Sequence, residues 1–182
     1  MNSTDFNWGD NTIDSRDIIN YYEERLDEKE TYESIVEEAE EALEEADEEY
    51  LSSRMAYERD DSERERYEYL EKVYEDSLKD LEDATKDLED AFDHDEFKLL
   101  EDIISQGEGS PDWSYGETLI HESYFTQYIE ELINDCYEMP KEFLNGNWPW
   151  NHMEMDWESA AEEAKSDYMT IEADGETYYI RA

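Results

Sequence analysis

Between Gly9 and Gly107 the chain has neither glycine nor proline, so residues 10 to 106 contain nothing that readily breaks a helix or sets a tight turn. A stretch of that length without punctuation points to long helices. A start falls at Asp14 or Ser15, whose side chains accept hydrogen bonds from the free N–H groups of a first turn.

Two segments inside this stretch space their seam residues alternately by four and three. The first is Tyr32, Val36, Ala39, Leu43, Ala46, Tyr50, Ser53 and Tyr57; the second is Leu70, Tyr74, Ser77, Leu81, Ala84, Leu88 and Ala91. Sustained 4-3 spacing lays one seam along each helix, the pattern of a coiled coil or a helical hairpin. The second segment ends in a direct repeat, Lys79 to Thr85 followed by Lys86 to Phe92. Glu58 to Arg66 has no apolar residue and is where the chain is expected to turn back, with Asp60, Asp61 or Ser62 capping the second helix. One unbroken helix paired with a second copy of itself satisfies the same seam, so both arrangements stay open.

Charge is the second constraint. Asp and Glu number 57 against 14 Lys and Arg, a net −43 over 182 residues. Like charges held in a compact state repel, and that repulsion costs stability. A surface for a basic partner, adaptation to concentrated salt, or disorder would each account for it. Fifteen Tyr, five Trp and five Phe are too many rings for a solvated acidic tail, so the chain folds. The single cysteine, Cys136, excludes a disulfide framework within the chain and suits a reducing cytoplasm. The first residues lack signal-peptide features, and no run nears the roughly 18 apolar residues of a membrane span. Anionic membranes and nucleic acids repel such a chain, whereas a basic protein attracts it.

After Gly107 the texture changes. Ser123 to Tyr137 reads as a helix with Phe125, Tyr128, Leu132 and Cys136 on one stripe and Pro140 beyond its end. Asn145 to Trp150 reads as a loop by its turn chemistry, and Asp156 as the cap of a short helix bearing Trp157, Ala160, Ala161 and Ala164. Trp148 and Trp150 suit either a partner or dimer contact or the core. Asp174-Gly175 between Met169–Ala173 and Glu176–Ile180 is a hairpin signal, because both turn positions need positive φ. A two-residue turn pairs Ile171 with Tyr178 and Met169 with Ile180 on one face. A lone hairpin is marginal in water, so that face should pack on the Trp157 helix or on a further strand, for which Leu119-Ile120 is the source. The expected fold is α+β and mostly helical: a tail over 1–13, a long acidic antiparallel, coiled-coil-like helical hairpin over 14–106, and a small α+β domain over 107–182 ending in a β-hairpin.

Signals of chemistry are weak. His94, His121, His152 and Cys136 have no zinc-ligand spacing. Asp93-His94-Asp95-Glu96 lacks the glycine and terminal glutamate of an EF-hand loop and reads as a solvated helix end. No phosphate-cradling loop and no nucleophile elbow occur. No cofactor, metal or catalytic residue is therefore expected, and an enzyme is the least supported class.

The acidic runs carry a geometric signal instead. Residues 30–57 hold eleven Asp/Glu and one Arg, and residues 65–92 hold eleven Asp/Glu and four Lys/Arg. At ~1.5 Å per residue each segment is about 42 Å long, so the pair side by side presents about one carboxylate per ~1.9 Å, against one phosphate per ~1.7 Å of duplex DNA. Subtracting the basic residues leaves about one net charge per ~2.5 Å. The run Glu37 to Glu49 has no basic residue at all and repels itself for no internal gain, whereas a plain coiled coil profits from alternating signs. The candidate phosphate-mimicking groups are Glu37, Glu38, Glu40, Glu41, Glu44, Glu45, Asp47, Glu48 and Glu49 on the first helix. On the second they are Glu75, Asp76, Asp80, Glu82, Asp83, Asp87, Glu89 and Asp90.

Tyr124-Phe125-Thr126-Gln127-Tyr128-Ile129-Glu130-Glu131-Leu132, then Met155-Asp156-Trp157-Glu158-Ser159-Ala160-Ala161, then Asp167 to Arg181, resembles the C-terminal part of antirestriction proteins of the Ard type. Small acidic bacteriophage proteins end in a similar way. The likeness covers about residues 117–181; residues 10–106 do not match that family's N-terminal domains. The resemblance implies an elongated DNA mimic that occupies the DNA groove of a restriction–modification enzyme. The expectation is thus a phage or mobile-element protein that blocks a DNA-binding host defence enzyme, restriction–modification or CRISPR. Its partner would be a basic DNA-binding protein, with no direct binding of nucleic acid or membrane and self-pairing left open. An acidic adaptor coiled coil and an acidic chaperone of basic proteins are the alternatives.

Overall fold

A computed structural model describes residues 6–138, 141 and 145–182. The fold is mostly helical α+β with one small antiparallel sheet. Two compact units divide it: residues up to Tyr22 together with Lys98–Ala182, and Glu23–Phe97. The sequence places its boundaries after 13 and after 106. Strand β1 (Thr12–Asp14), whose first two residues fall within the expected tail, pairs antiparallel with β2 (Thr118–His121), Ile13 opposite Leu119. Its three residues are too few to signal a strand, and its partner lies far along the chain.

Helix α1 (Ser15–Tyr57) starts where the sequence placed it. Asp14 caps it, accepting from the Arg16 backbone N–H at 2.9 Å and from the Arg16 Nε at 3.0 Å. The Arg16 side-chain hydrogen bond holds the Asp14 carboxyl below its ordinary range. α1 ends at Tyr57, a 3-10 turn covers Asp61–Glu63, and α2 (Arg64–Ala91) follows. A single unbroken helix is thereby excluded. Asp60 caps the 3-10 turn through the Ser62 N–H at 2.9 Å, while Glu63 at the start of α2 makes no side-chain cap.

Residues 93–96, read as a helix end, are a helix start. Asp93 Oδ1 accepts from the N–H groups of Asp95 and Glu96 at 3.0 and 3.1 Å and opens α3 (His94–Gly107). Without a Gly or Pro to mark it, this break is invisible in the residue pattern.

The remaining elements are α4 (Trp113–Gly116), α5 (Phe125–Cys136), α6 (Trp157–Ala164), β3 (Tyr168–Ala173) and β4 (Glu176–Arg181). Strand order is β1-β2-β4-β3, all antiparallel. The hairpin register follows the sequence, Ile171 opposite Tyr178 and Met169 opposite Ile180, with Asp174 at φ 52° and Gly175 at φ 81°. Leu119-Ile120 supplies the neighbouring strand, Ile120 opposite Tyr179.

The sheet is covered on both faces. Ile13, Leu119, Ile171, Ala173, Tyr178 and Ile180 form one buried cluster with Ile18 of α1, Leu100 and Ile103 of α3, and Trp113. Ile120 and Tyr179 form the other with Phe125, Ile129 and Ala161. The Trp157 helix thus covers the face opposite to the one expected, because Ala161 meets Tyr179 and Ile120 rather than Tyr178 and Ile180. On α5 the buried side runs through Phe125 and Ile129 with Tyr128 and Ile133 beside it, which turns Leu132 and Cys136 to solvent. Asp156 caps α6 as expected, accepting from the Ser159 N–H at 3.0 Å and its hydroxyl at 2.8 Å. Pro140, expected beyond α5, lies outside the described residues, as does the start of the expected tail.

Candidate acidic interaction surface

In the unit Glu23–Phe97, every residue of both predicted seams is buried or half-buried. Tyr67 continues the 4-3 spacing three residues before Leu70 and is half-buried too. Four rings join the two helices at this end. Tyr57 stacks on Tyr67 with centroids 5.3 Å apart, Tyr67 lies 5.6 Å from Tyr50, and Tyr50 stacks on Tyr74 at 5.4 Å. The Tyr50 and Tyr67 hydroxyls are 3.1 Å apart, and Tyr67 donates to Glu71 at 2.8 Å. These bonds, that to Tyr50 foremost, hold the Tyr67 phenol well above its usual ionisation range.

The seam also extends backwards from Tyr32 by the same steps, to Lys29 and Arg25. Neither is apolar, so the sequence pattern misses them. Arg25 donates to the backbone carbonyl of Ala91 at 2.8 Å, neutralising the negative end of α2. Its guanidinium lies 6.0 Å from the Phe92 ring centre, and the Lys29 ammonium lies 5.6 Å from Phe92 and 5.5 Å from Phe97. Two scarce cations close the seam where apolar side chains run out. Contacts of residue 25 with 91 and of residue 57 with 67 make the helices antiparallel.

With the seam turned inward, the carboxylates face water. Glu37, Glu38, Glu40, Glu41, Glu44, Glu45, Glu48 and Glu49 on α1 are exposed, and Asp47 is half-buried. Glu75, Asp76, Asp80, Glu82, Asp83, Asp87, Glu89 and Asp90 on α2 are all exposed. Ion pairs on this unit use other acids: Arg25 with Glu28, Lys29 with Glu33 at 3.4 Å, Arg54 with Glu58 at 3.5 Å and Arg64 with Glu68 at 2.8 Å. Among the described residues none of the candidate carboxylates is held in an ion pair or side-chain hydrogen bond.

Lys72, Lys79 and Lys86 recur every seven residues and form one stripe on α2. Each lies two residues past a seam position, about 200° round the helix and so on its outer side. Each precedes acids at i+3 and i+4, the weaker orientation for a helical ion pair. The candidate carboxylates of α2 fall on either side of this stripe.

In the other unit a polar group invites a catalytic reading. His121 Nδ1 is 2.8 Å from the Ser123 hydroxyl and Nε2 is 3.0 Å from Glu176. The Ser123 N–H also donates to Nδ1, at 3.2 Å, which leaves Nε2 as the nitrogen that donates to Glu176. This is a cap. His121 ends β2, opens the 3-10 turn Glu122–Tyr124 and ties it to β4. Among those residues no three His, Cys, Asp or Glu are grouped to hold a metal, and no helix is long and apolar enough to cross a membrane.

No protein-family model, curated protein or solved structure matches the chain.

Proposed function

We propose that the chain is a DNA mimic that binds and inhibits a DNA-binding host defence enzyme, with the acidic helix pair standing in for the duplex. The observation that carries this reading is the state of the candidate carboxylates: exposed, apart from half-buried Asp47, and unpaired. A folded chain that needed acid only for solubility gains by pairing it with its own cations. Here α1 keeps Glu37 to Glu49 free of any basic residue. The pair is coiled-coil-like, and its linear density of about one carboxylate per ~1.9 Å lies near that of duplex phosphate. A protein groove lined with Lys and Arg gains the same counterion release from such a rod as from DNA. The likeness of residues 117–181 to Ard-type tails points the same way, toward a phage or mobile-element protein working in the host cytoplasm.

Immobilised protein should capture nucleic-acid-binding proteins from a bacterial lysate at low salt and release them to added duplex DNA. Replacing Glu37, Glu38, Glu40, Glu41, Glu44 and Glu45 with Gln should abolish that capture. Capture that survives the neutralisation, or that duplex DNA does not reverse, would contradict the proposal and favour an adaptor coiled coil.

A further inference from the structure

No Asp, Glu, Lys or Arg occurs between Glu142 and Glu154, the longest such interval in the chain. Its described part is a loop in the sheet-containing unit, folded by hydrogen bonds from Asn151 N–H to the Asn147 carbonyl at 3.1 Å and from His152 N–H to the Pro149 carbonyl at 3.0 Å. Apolar side chains on this loop stand in water. Trp148 is 81% exposed, Met153 53% and Met155 43%. Single exposed apolar residues are ordinary; three close together in one loop are the observation that points to a contact.

We propose that Trp148, Met153 and Met155 form a docking surface for a basic amphipathic helix of a partner protein. Tryptophan is the residue most enriched among energetic anchors of interfaces, and methionine adapts its shape to varied apolar faces. Beyond the uncharged interval the acids return. Residues 153–156 lie outside any helix or strand, and Met153 and Met155 alternate there with exposed Glu154 and Asp156, followed by exposed Glu158. Exposed apolar side chains interleaved with carboxylates complement a helix with one apolar and one Lys/Arg face. A second copy of this chain fits poorly, because it would set Glu154, Asp156 and Glu158 against the same carboxylates of a molecule of charge −43. The inference does not rest on the acidic helix pair, which belongs to the other compact unit.

The test is titration calorimetry of the full chain with a short amphipathic Leu/Lys peptide in about 0.5 M NaCl, where exposed charges beyond a few ångströms are screened. A peptide with Gln in place of Leu and the same Lys count is the control. The expected result is binding of the Leu/Lys peptide alone, weakened at least ~10-fold by Trp148→Ala and again by Met153→Gln with Met155→Gln. The melting temperature should not move, since these side chains are exposed. Equal binding of the two peptides, or no loss in either variant, would overturn the proposal. So would light scattering that finds a dimer which Trp148→Ala separates, since the loop's occupant would then be a second copy.

Discussion

Gly107 ends α3 with the Trp113 ring packed against its Cα; a Cβ placed there would lie 2.4 Å from that ring. Trp113 is buried in the cluster that holds the sheet to α1 and α3, so it cannot swing aside. Gly107→Ala should therefore destabilise the protein by about 1–3 kcal/mol, read as a lower melting temperature. Tyrosines supply a second residue-scale expectation. Burial, then Tyr128, pushes the Tyr168 hydroxyl up to about 12, and burial also raises Tyr178. A raised folded pKa favours the neutral phenol, so its contribution is intact below the unfolded value near ~10 and is lost as pH climbs toward the folded one. Thermal melts should hold up to about pH 10 and fall steeply above it. A melting temperature that stays level through pH 12 would remove burial of these hydroxyls from the account.

At the scale of elements, legibility in the sequence tracked chemistry. The C-terminal hairpin was readable to the register because Asp174-Gly175 admits one tight turn and alternation fixes which side chains face inward. Both seams were readable because apolar spacing reports directly on burial. Three features were not. α3 begins at an Asp93 cap within an acidic run that looks like solvated surface. β1 is three residues whose partner is remote. The seam continues through Arg25 and Lys29, and a pattern of apolar residues cannot register a cation packed on Phe92 or bonded to a helix-end carbonyl. This last point can be checked: Arg25→Ala should cost about 1–2 kcal/mol, and hydrogen exchange should quicken first in the final turn of α2. Exchange unchanged near Ala91 would mean that Arg25 does not hold that end.

For the whole molecule, −43 is best understood by where its charges are and whether they are paired. Arg25, Lys29, Arg54 and Arg64 are matched to particular acids or rings. The long faces of α1 and α2 are left unmatched. Sequence alone located those residues but could not tell whether they would be neutralised internally, since pairing depends on rotamer and helix geometry. If the unmatched faces imitate a duplex, arrangement as well as charge should matter to the protein they bind. The most direct measurement is displacement of a captured DNA-binding protein by short duplex DNA and, separately, by polyglutamate at equal total charge. Duplex should displace it at far lower concentration than polyglutamate, and the affinity should fall steeply with salt, as a phosphate-like surface requires. Equal displacement by both polymers would show that only net charge is read and would contradict the mimic.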